Sequence, residues 1–406
     1  MGPLAGIKVV DLSRVLAGPW ATQALADFGA TVYKIEKPGT GDDTRSFGPP
    51  FMTDKEGRRG DAAYYLATNR GKRSIAIDLA QPQGQALIRG LAERCDVLVE
   101  NFKVGGLGRY GLAYRDLVPL CPRLIYCSIT AFGQDGPAAQ GAGYDLAIQG
   151  MSGLMSITGA PDGEPGAEPQ RVGVAIADLI TGVYMIGAIC AALYEREHSG
   201  HGQYIDLALL DSMIATLANQ NMNYLISGKV PARRGNTHPN VVPYQVFETA
   251  DGHMLLAIGN DRQFAQFCAV AGHPELAVDL RYRCNPDRVA HRDTLVPELA
   301  RICRSRSTRD WFQALIPAAV PCGPINNLAQ AFAEPQVVHR GMRFTLEHPT
   351  AGALPQVRNP ILFSRTQLEY NVPPPLLGQH TDEVLGAELG LRAGELDSLR
   401  EQGVIG

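Results

Sequence analysis

The first two hundred residues alternate short apolar runs, rich in β-branched residues, with longer segments of helical periodicity. Strands are predicted at 7–13, 31–37, 72–79, 96–102 and 123–133. Helical patterns cover 19–29 and 81–95, and the earlier one has Pro19 in its first turn and Gly29 at its end. Strands that alternate with helices in this way predict an α/β fold, with parallel β-α-β units in an open, doubly wound sheet.

A long apolar helix is predicted to begin at Asp178, and a strand and a second long helix follow within 202–228. The pattern changes after them. From about 229 the chain is rich in Pro, Gly and Asn and loses its periodicity, which is typical of a linker or loop. A compact unit with both strand and helix patterns follows, and the alternation of strands with helices resumes near 320. The predicted organisation is a large domain begun by 1–205, a linker helix and loop at 206–244, a small domain at 245–318, and a return at 319–406 that completes the large domain.

The 406 residues are 45% hydrophobic and 19% charged, with a net charge of −4. This profile is typical of a soluble globular protein, and the scattered basic residues argue against nucleic acid as a partner. The cysteines are Cys95, Cys121, Cys127, Cys190, Cys268, Cys284, Cys303 and Cys322. They form no C-x-x-C pair or zinc-like cluster, so we expect no metal and a reducing compartment. Because the N-terminus shows no secretory pattern, we expect a cytoplasmic protein.

The acid Asp178 stands alone in the apolar run RVGVAIADLITGVYMIGAICAAL, residues 171–193. Its presence shortens the uninterrupted apolar stretch, so we predict a buried helix and no membrane span. One interpretation is structural, since an acid at this place caps a helix or lies in its first turn. The other is chemical, since an ionised carboxylate in a dry pocket is a nucleophile. Both require the same geometry, and this stretch alone does not choose between them.

A G-x-G-x-x-G pattern at 106–111 follows the fourth predicted strand. In a nicotinamide site these glycines open a helix, and an acid follows about twenty residues later. Here the glycines lie beyond a tight turn, and the next strand carries no acid at its end until Asp135. We therefore favour a loop that carries Arg109 toward a phosphate, with a nicotinamide oxidoreductase as a minor alternative.

Loops that follow three of the predicted strands carry groups suited to an anion. SRVLAGP leads from the first strand into a helix N-terminus, Lys37 follows the second strand, and Asn101 and Lys103 follow the fourth. The carboxyl ends of parallel strands meet at one edge of a sheet, so these loops should converge. The sequence thus predicts a phosphate-bearing ligand at this edge.

Six segments resemble the class III CoA-transferase family (CaiB/BaiF type), in order from about residue 4 to 385. They are DLSRVLAGPWATQALADFGATVYKIEKPGTGD, NRGKRSIAIDL, DVLVENF, GYDLAIQGMSGLMSITG, GVAIADLITG and PLLGQHTDEVL. The resemblance implies a Rossmann-like large domain, a smaller mixed α/β domain and two chains that interlock as a homodimer. It also implies acyl-CoA and small carboxylates as substrates, with Asp178 as the nucleophile that passes through an anhydride and an aspartyl-CoA thioester. The positions that it implies for CoA contact are Leu16, Ala17, Lys37, Ile77, Asp78, Asn101, Phe102 and Arg109, with Tyr144 near the active site.

Departures from the family pattern refine this expectation. Lys37 replaces an arginine that some members carry, which keeps the charge but loses the bidentate fork. The shorter RRGNTHPNVVPY segment replaces a glycine-rich loop of formyl-CoA transferases and makes formyl and oxalate less favoured substrates. Related racemases carry a histidine at the position of Tyr144, and a tyrosine with a reference pKa near 10 is a poor substitute for the second acid/base group that they need, which disfavours racemisation. An acyl-CoA racemase and a non-catalytic CoA-binding protein stay as minor alternatives. Arg233 and Arg234 are either solvated linker residues or binders of a dicarboxylate such as succinate, glutarate or malate.

Overall fold

The computed structural model describes residues 2–406. Its strands are β1 (Lys8–Asp11), β2 (Thr31–Glu36), β3 (Phe51–Thr53), β4 (Arg59–Ala62), β5 (Lys72–Ala76), β6 (Val97–Glu100), β7 (Ile125–Thr130), β8 (Tyr204–Ala208), β9 (Tyr244–Glu248), β10 (His253–Ala257), β11 (Cys322–Gly323), β12 (Arg343–His348) and β13 (Gly352–Val357). Its helices are α1 (Ala17–Asp27), α2 (Ala63–Leu66), α3 (Pro82–Ala92), α4 (Tyr114–Leu117), α5 (Asp145–Met151), α6 (Leu154–Ile157), α7 (Ile176–Ser199), α8 (Leu209–Thr216), α9 (Asn219–Ser227), α10 (Asp261–Ala271), α11 (Glu275–Val278), α12 (Asn285–Ala290), α13 (Arg292–Cys303), α14 (Thr308–Leu315), α15 (Leu328–Ala333), α16 (Pro335–His339), α17 (Thr381–Leu389) and α18 (Ala393–Glu401).

The main sheet has six strands in the order β5-β2-β1-β6-β7-β8, and every neighbouring pair is parallel. The predicted α/β fold with an open parallel sheet is therefore confirmed. The strand order is that of a Rossmann-like sheet, because the chain moves outward from β1 through β2 to β5 and then restarts at β6 on the other side of β1. The direction of winding thus reverses between β1 and β6. In such sheets, ligands bind outside the carboxyl ends of the strands at this reversal.

Both faces of the sheet are covered, which explains why its strands read as nearly continuous apolar runs. On one face, Val10 and Leu98 pack with helices α3, α17 and α18. On the other face, Val9 and Val97 pack with α1, α7 and α8. The alternation along β1 follows from the two-residue period of a strand, and it divides the apolar side chains between two separate cores.

The chain divides into two compact units. The first comprises 1–154, 171–229 and 338–406, and the second comprises 155–170 and 230–337. The second unit has its own three-stranded antiparallel sheet in the order β11-β10-β9, and its own core around Phe267 and Trp311. The chain passes from the first unit to the second at 229/230 and returns at 337/338. The sequence instead places the small domain at 245–318, and the predicted domain boundaries stay a prediction.

Helix α7 is less buried within this chain than the sequence predicts. Its side chains Val183, Tyr184 and Tyr194 are 55%, 46% and 71% exposed, while Met185 and Ile189 are fully buried. Among the described residues this helix is long and apolar enough to cross a membrane, a test of length and composition that core helices also pass. The expected buried helix is therefore corrected to one with a buried face and, within this chain, an exposed apolar face.

Candidate active site

A cavity of about 550 Å³ opens at the carboxyl edge of the main sheet, where the winding reverses. Its lining follows four strands: Leu12 and Arg14 after β1, Lys37 to Asp43 after β2, Ile77 to Ala80 after β5, and Phe102 and Tyr110 after β6. The predicted convergence of these loops on one edge is confirmed. Of the positions implied for CoA contact, Lys37, Ile77, Asp78 and Phe102 line this cavity.

The segment after β2 forms one wall of the cavity, and a buried ion pair holds this segment in place. Lys34 donates to a carboxylate oxygen of Asp42 at 2.8 Å, and neither side chain is exposed. Asp42 also accepts from the backbone N–H of Val15 and from both donors of Thr44. Burial alone would raise the pKa of Asp42, but Lys34 and these hydrogen bonds outweigh it and lower the pKa to about 2. The segment after β2 is thus tied to the loop after β1.

A second buried pair holds the loop between β1 and α1. Asp11 accepts from the side chains of Ser13, Thr22 and Lys72, and the ammonium group of Lys72 also donates to the carbonyl of Pro19. Burial lowers the pKa of Lys72 to about 8 against the opposing attraction of Asp11. Every donor in the set has an acceptor, so the loop is fixed before any ligand enters.

Asn101 joins the loops on the two sides of the winding reversal. Its side-chain oxygen accepts from the N–H of Arg14 at 2.9 Å, and its amide donates to the carbonyl of Arg14 at 2.8 Å. The guanidinium group of Arg14 lies 5.7 Å from the ring centre of Phe102. Asn101 therefore shapes the cavity through the backbone and is not among its lining residues.

The other implied CoA positions lie beside the cavity rather than on its wall. Leu16 and Ala17 are buried at the start of α1, and a methyl group added at Gly182 of α7 would lie 2.9 Å from the carbonyl oxygen of Ala17. Arg109 is exposed and lies over the ring of Tyr110, 4.5 Å from its centre. The glycines of the G-x-G-x-x-G pattern open no long helix, as expected, because only a short 3-10 turn and α4 follow.

Asp178 lies in the first turn of α7, as the third residue of the helix. It is half-buried, and among residues 2–406 no group donates a hydrogen bond to its carboxylate. Burial, and then the charge of Asp145, raise the pKa of Asp178 to about 7. The expectation that Asp178 stands at the start of a helix is confirmed, since it lies in the first turn, but its carboxyl group does not cap the helix and receives none of the hydrogen bonds that would hold it ionised.

The cap is supplied by Asp145, which sequence reasoning missed. One carboxylate oxygen of Asp145 accepts from the N–H of Ala177 at 2.8 Å, and the other accepts from the side-chain amide of Gln149 at 2.6 Å. The side-chain oxygen of Gln149 accepts in turn from the N–H of Val172. An acid at the start of α5 was visible in GYDLAIQ, but nothing local shows that it reaches a helix 32 residues later.

Two tyrosines belong to the surroundings of these acids. Burial raises the pKa of the Tyr64 phenol, and the charges of Asp178, Asp145 and Asp42 raise it further. Tyr144 is 76% exposed at the start of α5, one residue before the cap. Asp178 thus offers a carboxylate with a raised pKa, to which no described residue donates a hydrogen bond.

The basic pair Arg233 and Arg234 lies in the second unit, and its two members differ. The guanidinium group of Arg233 is bound by Asp162 and by the carbonyl oxygen of Ala160. Arg234 is exposed, and its charge lowers the pKa of Arg292 after the larger effect of burial. Of the pair, Arg234 is therefore the member left for an anionic ligand.

Residues 4–381 match the family model described as CoA-transferase family III. This chain belongs to that family. It is 54% identical over 387 residues to a succinate–glutarate CoA-transferase of Agrobacterium fabrum, covering 95% of this chain and 96% of the relative. It is 44% identical to a succinyl-CoA:glutarate CoA-transferase of Mus musculus, covering 100% and 91%. A CaiB/BaiF family protein from Brucella suis has a solved structure that is 48% identical, with a TM-score of 0.82 and coverage of 95% and 99%. The class III CoA-transferase identified by resemblance is thus confirmed, and CoA thioesters are its substrates.

Proposed function

We propose that this CoA-transferase moves CoA from succinyl-CoA to a dicarboxylic acid such as glutarate, with Asp178 as the covalent nucleophile. The observation that carries the proposal is the carboxyl group of Asp178 in the first turn of α7, which is half-buried, accepts no hydrogen bond among residues 2–406 and has a raised pKa. The names of the relatives support the donor and acceptor. A dicarboxylate also fits the exposed, positively charged Arg234 of the second unit.

The reaction then proceeds by exchange at carbonyl carbons. The ionised carboxylate of Asp178 attacks the thioester carbon of the donor, the C–S bond breaks, and a mixed anhydride and a CoA thiolate form. The thiolate attacks the aspartyl carbonyl, which releases succinate and leaves an aspartyl-CoA thioester. The acceptor carboxylate attacks that thioester, and the same two steps in reverse deliver the new acyl-CoA and restore Asp178. No proton is transferred in this sequence, so no partner base is required.

The environment of Asp178 suits this role. A carboxylate whose pKa is near 7 is a stronger nucleophile than an ordinary aspartate, and it is still largely ionised above neutral pH. Half-burial limits the access of water, which would hydrolyse both the anhydride and the thioester. The absence of donors to the carboxylate leaves its lone pairs free for the incoming carbonyl carbon.

The positions around the cavity receive corresponding roles. Lys37 and Arg109, which form no ion pair among residues 2–406, bind phosphates of CoA, while Ile77, Asp78 and Phe102 surround its adenosine portion. Asn101 holds the two loops around the ligand, and Leu16 with Ala17 sits between the ligand and the helix of Asp178. Tyr144 lies at the substrate entrance.

We propose further that the chain forms an interlocked homodimer in the cytoplasm. The exposed apolar face of α7 supports this, because a soluble protein rarely leaves such a surface in water. After residue 337 the chain returns to its first unit. An interlocked arrangement of two chains needs such a return. Mass photometry at nanomolar concentration should find only dimers, and an active monomer would contradict the proposal.

The substrate assignment is tested by incubating the enzyme with succinyl-CoA and a panel of carboxylic acids, and measuring the CoA products by mass spectrometry. Glutaryl-CoA should appear faster than the CoA esters of monocarboxylic acids. Asp178→Asn should lower the rate by several orders of magnitude while CoA binding, measured by calorimetry, stays nearly unchanged. The exposed acid Asp211 of α8 offers a matched control, and Asp211→Asn should keep wild-type activity.

The covalent step separates transfer from racemisation. Incubation with succinyl-CoA and no acceptor should leave an adduct on the peptide that contains Asp178, and hydroxylamine should convert it to a hydroxamate. A racemase forms no such adduct, and it would instead exchange solvent deuterium into the α-carbon of the acyl-CoA. An unmodified peptide at all quench times, in an enzyme that transfers CoA rapidly, would exclude Asp178 as the nucleophile.

A further inference from the structure

The N-terminus of α7 is held by a side chain from another helix. The N–H of Ala177 donates to Asp145, while the residue before α7, Ala175, has no side chain able to cap it. Asp145 is buried, with 8% of its surface exposed, and both of its carboxylate oxygens have partners. A buried, fully hydrogen-bonded carboxylate therefore stands against the backbone of the residue that precedes Asp178.

This arrangement brings two carboxyl groups close together within the first unit, which is unfavourable if the only purpose were to cap a helix. An asparagine or serine at the position of Asp145 would satisfy the same N–H without a second charge. The charge of Asp145 therefore has two consequences, a favourable interaction with the positive end of α7 and an effect on the neighbouring Asp178, and the experiment below separates them.

We propose that Asp145 is a positioning residue for CoA transfer, whose buried carboxylate holds the first turn of α7 and places a fixed negative charge beside Asp178. The inference rests on the proposed role of Asp178 as the nucleophile. The fixed charge makes the carboxylate of Asp178 more basic and so more reactive toward a thioester carbon.

Other titratable groups face α7 from the elements that pack against it. They are Asp27 of α1, Cys127 of β7 and Asp211 of α8, with Tyr64 of α2 near its N-terminus, whereas Tyr126, Tyr204 and Asp206 belong to the opposite face of the sheet. Asp27 is bound by Arg70, and Asp206 accepts from the N–H of Gln134. Among the described residues, Asp145 is the charged group whose field acts on Asp178.

The test compares two variants, one that removes the charge of Asp145 and one that removes the hydrogen bonds made by Gln149, which hold Asp145 in place. Asp145→Asn keeps an oxygen that accepts from Ala177 but removes the charge. Gln149→Met removes the hydrogen bonds to Asp145 and Val172 but leaves the charge in place. For each, the rate of adduct formation on Asp178 is measured in a single turnover with succinyl-CoA between pH 5.5 and 8.5, and folding is checked by circular dichroism.

Removing the charge should move the acidic limb of the profile of Asp145→Asn to lower pH, with a lower plateau. The rate of Asp145→Asn relative to wild type should therefore rise at least about threefold as the pH falls from 8 to 5.5, which is the effect of half a pH unit. Gln149→Met should instead be slower by the same factor at every pH. If Asp145→Asn does not fold, Asp145→Ser serves in its place, since its hydroxyl oxygen also accepts from Ala177.

A profile for Asp145→Asn that runs parallel to wild type would overturn the inference and leave the proposed function intact, because the wild-type adduct would still be present. Absence of an adduct in the wild-type enzyme would overturn both. A shifted limb in Gln149→Met would also count against the inference, since it would mean that loosening the scaffold is enough to move the profile.

Discussion

Replacing Asp42 by asparagine should destabilise the first unit strongly, although the change is isosteric. Asp42 and Lys34 form a fully buried ion pair, so the substitution removes the carboxylate paired with Lys34 and leaves its ammonium group facing neutral acceptors, the carbonyl of Ser13 and the new amide oxygen. Removal of one member of a buried pair costs about 3–5 kcal/mol. The pKa of Asp42 falls from 3.8 to about 2, and this shift independently corresponds to a stabilisation of the folded state by roughly 2 kcal/mol from the ionised carboxylate alone.

The neighbouring residue provides a matched control. Asp43 also lines the cavity and pairs with Arg14 at 3.2 Å, but both side chains are about half exposed, at 53% and 50%. Exposed pairs contribute about 0–1 kcal/mol. Asp43→Asn should therefore leave the free energy of unfolding within about 1 kcal/mol of wild type, as measured by urea denaturation at pH 7.

The pH dependence supplies a check of sign. The pKa of Asp42 is lower in the folded protein, so its stabilisation is fully present above pH 3.8 and is lost as the pH falls through 2. The difference in unfolding free energy between wild type and Asp42→Asn should therefore shrink as the pH falls from 4 toward 2. Equal losses in Asp42→Asn and Asp43→Asn at pH 7, or a loss below about 1 kcal/mol in the former, would refute the reasoning.

Three further predictions concern activity and packing. In the wild-type enzyme, kcat/KM for succinyl-CoA should fall as the pH drops through about 7, because protonation of Asp178 removes the nucleophile; a rate that is flat from pH 8 to 5.5 would contradict the raised pKa. Lys37→Ala and Arg109→Ala should each raise the KM for succinyl-CoA roughly ten- to a hundredfold with a smaller change in kcat, as steady-state kinetics would show, since each removes a charge-assisted contact to phosphate. Gly182→Ala should lower the unfolding free energy by about 1–3 kcal/mol, because its methyl group meets helix α1, whereas Gly394→Ala in α18, where an added methyl group meets nothing within 4 Å, should be neutral or stabilising. Equal effects of the two substitutions in thermal denaturation would refute the packing argument.

The parallel sheet was predictable because its strands are buried on both faces. Runs such as VLVE of β6 then stand out as apolar segments of strand length between helical patterns. The hairpin of β3 and β4 was missed, because RGDA of β4 is short, polar and partly exposed and carries no two-residue alternation. The sequence therefore reveals strands that are buried on both faces, and it does not reveal short, partly exposed strands.

The site was predictable where chemistry and local context coincide. Asp178 was found because an acid without a nearby base is conspicuous in an apolar run, and Lys37 because it directly follows a strand. The buried pairs were not found, since Lys34 and Lys72 look like ordinary polar residues of strands that should face water. Their partners come from other loops, and only the assembled sheet brings Asp42 and Asp11 to them.

The error about the cap shows how the fold separates stability from reactivity. Had Asp178 capped its own helix, backbone N–H groups would occupy its lone pairs and lower its pKa, leaving a weaker nucleophile. The structure gives that task to Asp145, which satisfies the N–H of Ala177 from outside the helix. Asp178 is thereby left near the positive end of α7 without hydrogen bonds of its own, and the charge of Asp145 raises its basicity further. Under the proposed mechanism, Asp145 stabilises the start of α7 and Asp178 stays free of hydrogen bonds for the reaction, so two carboxylates on two helices divide the two tasks.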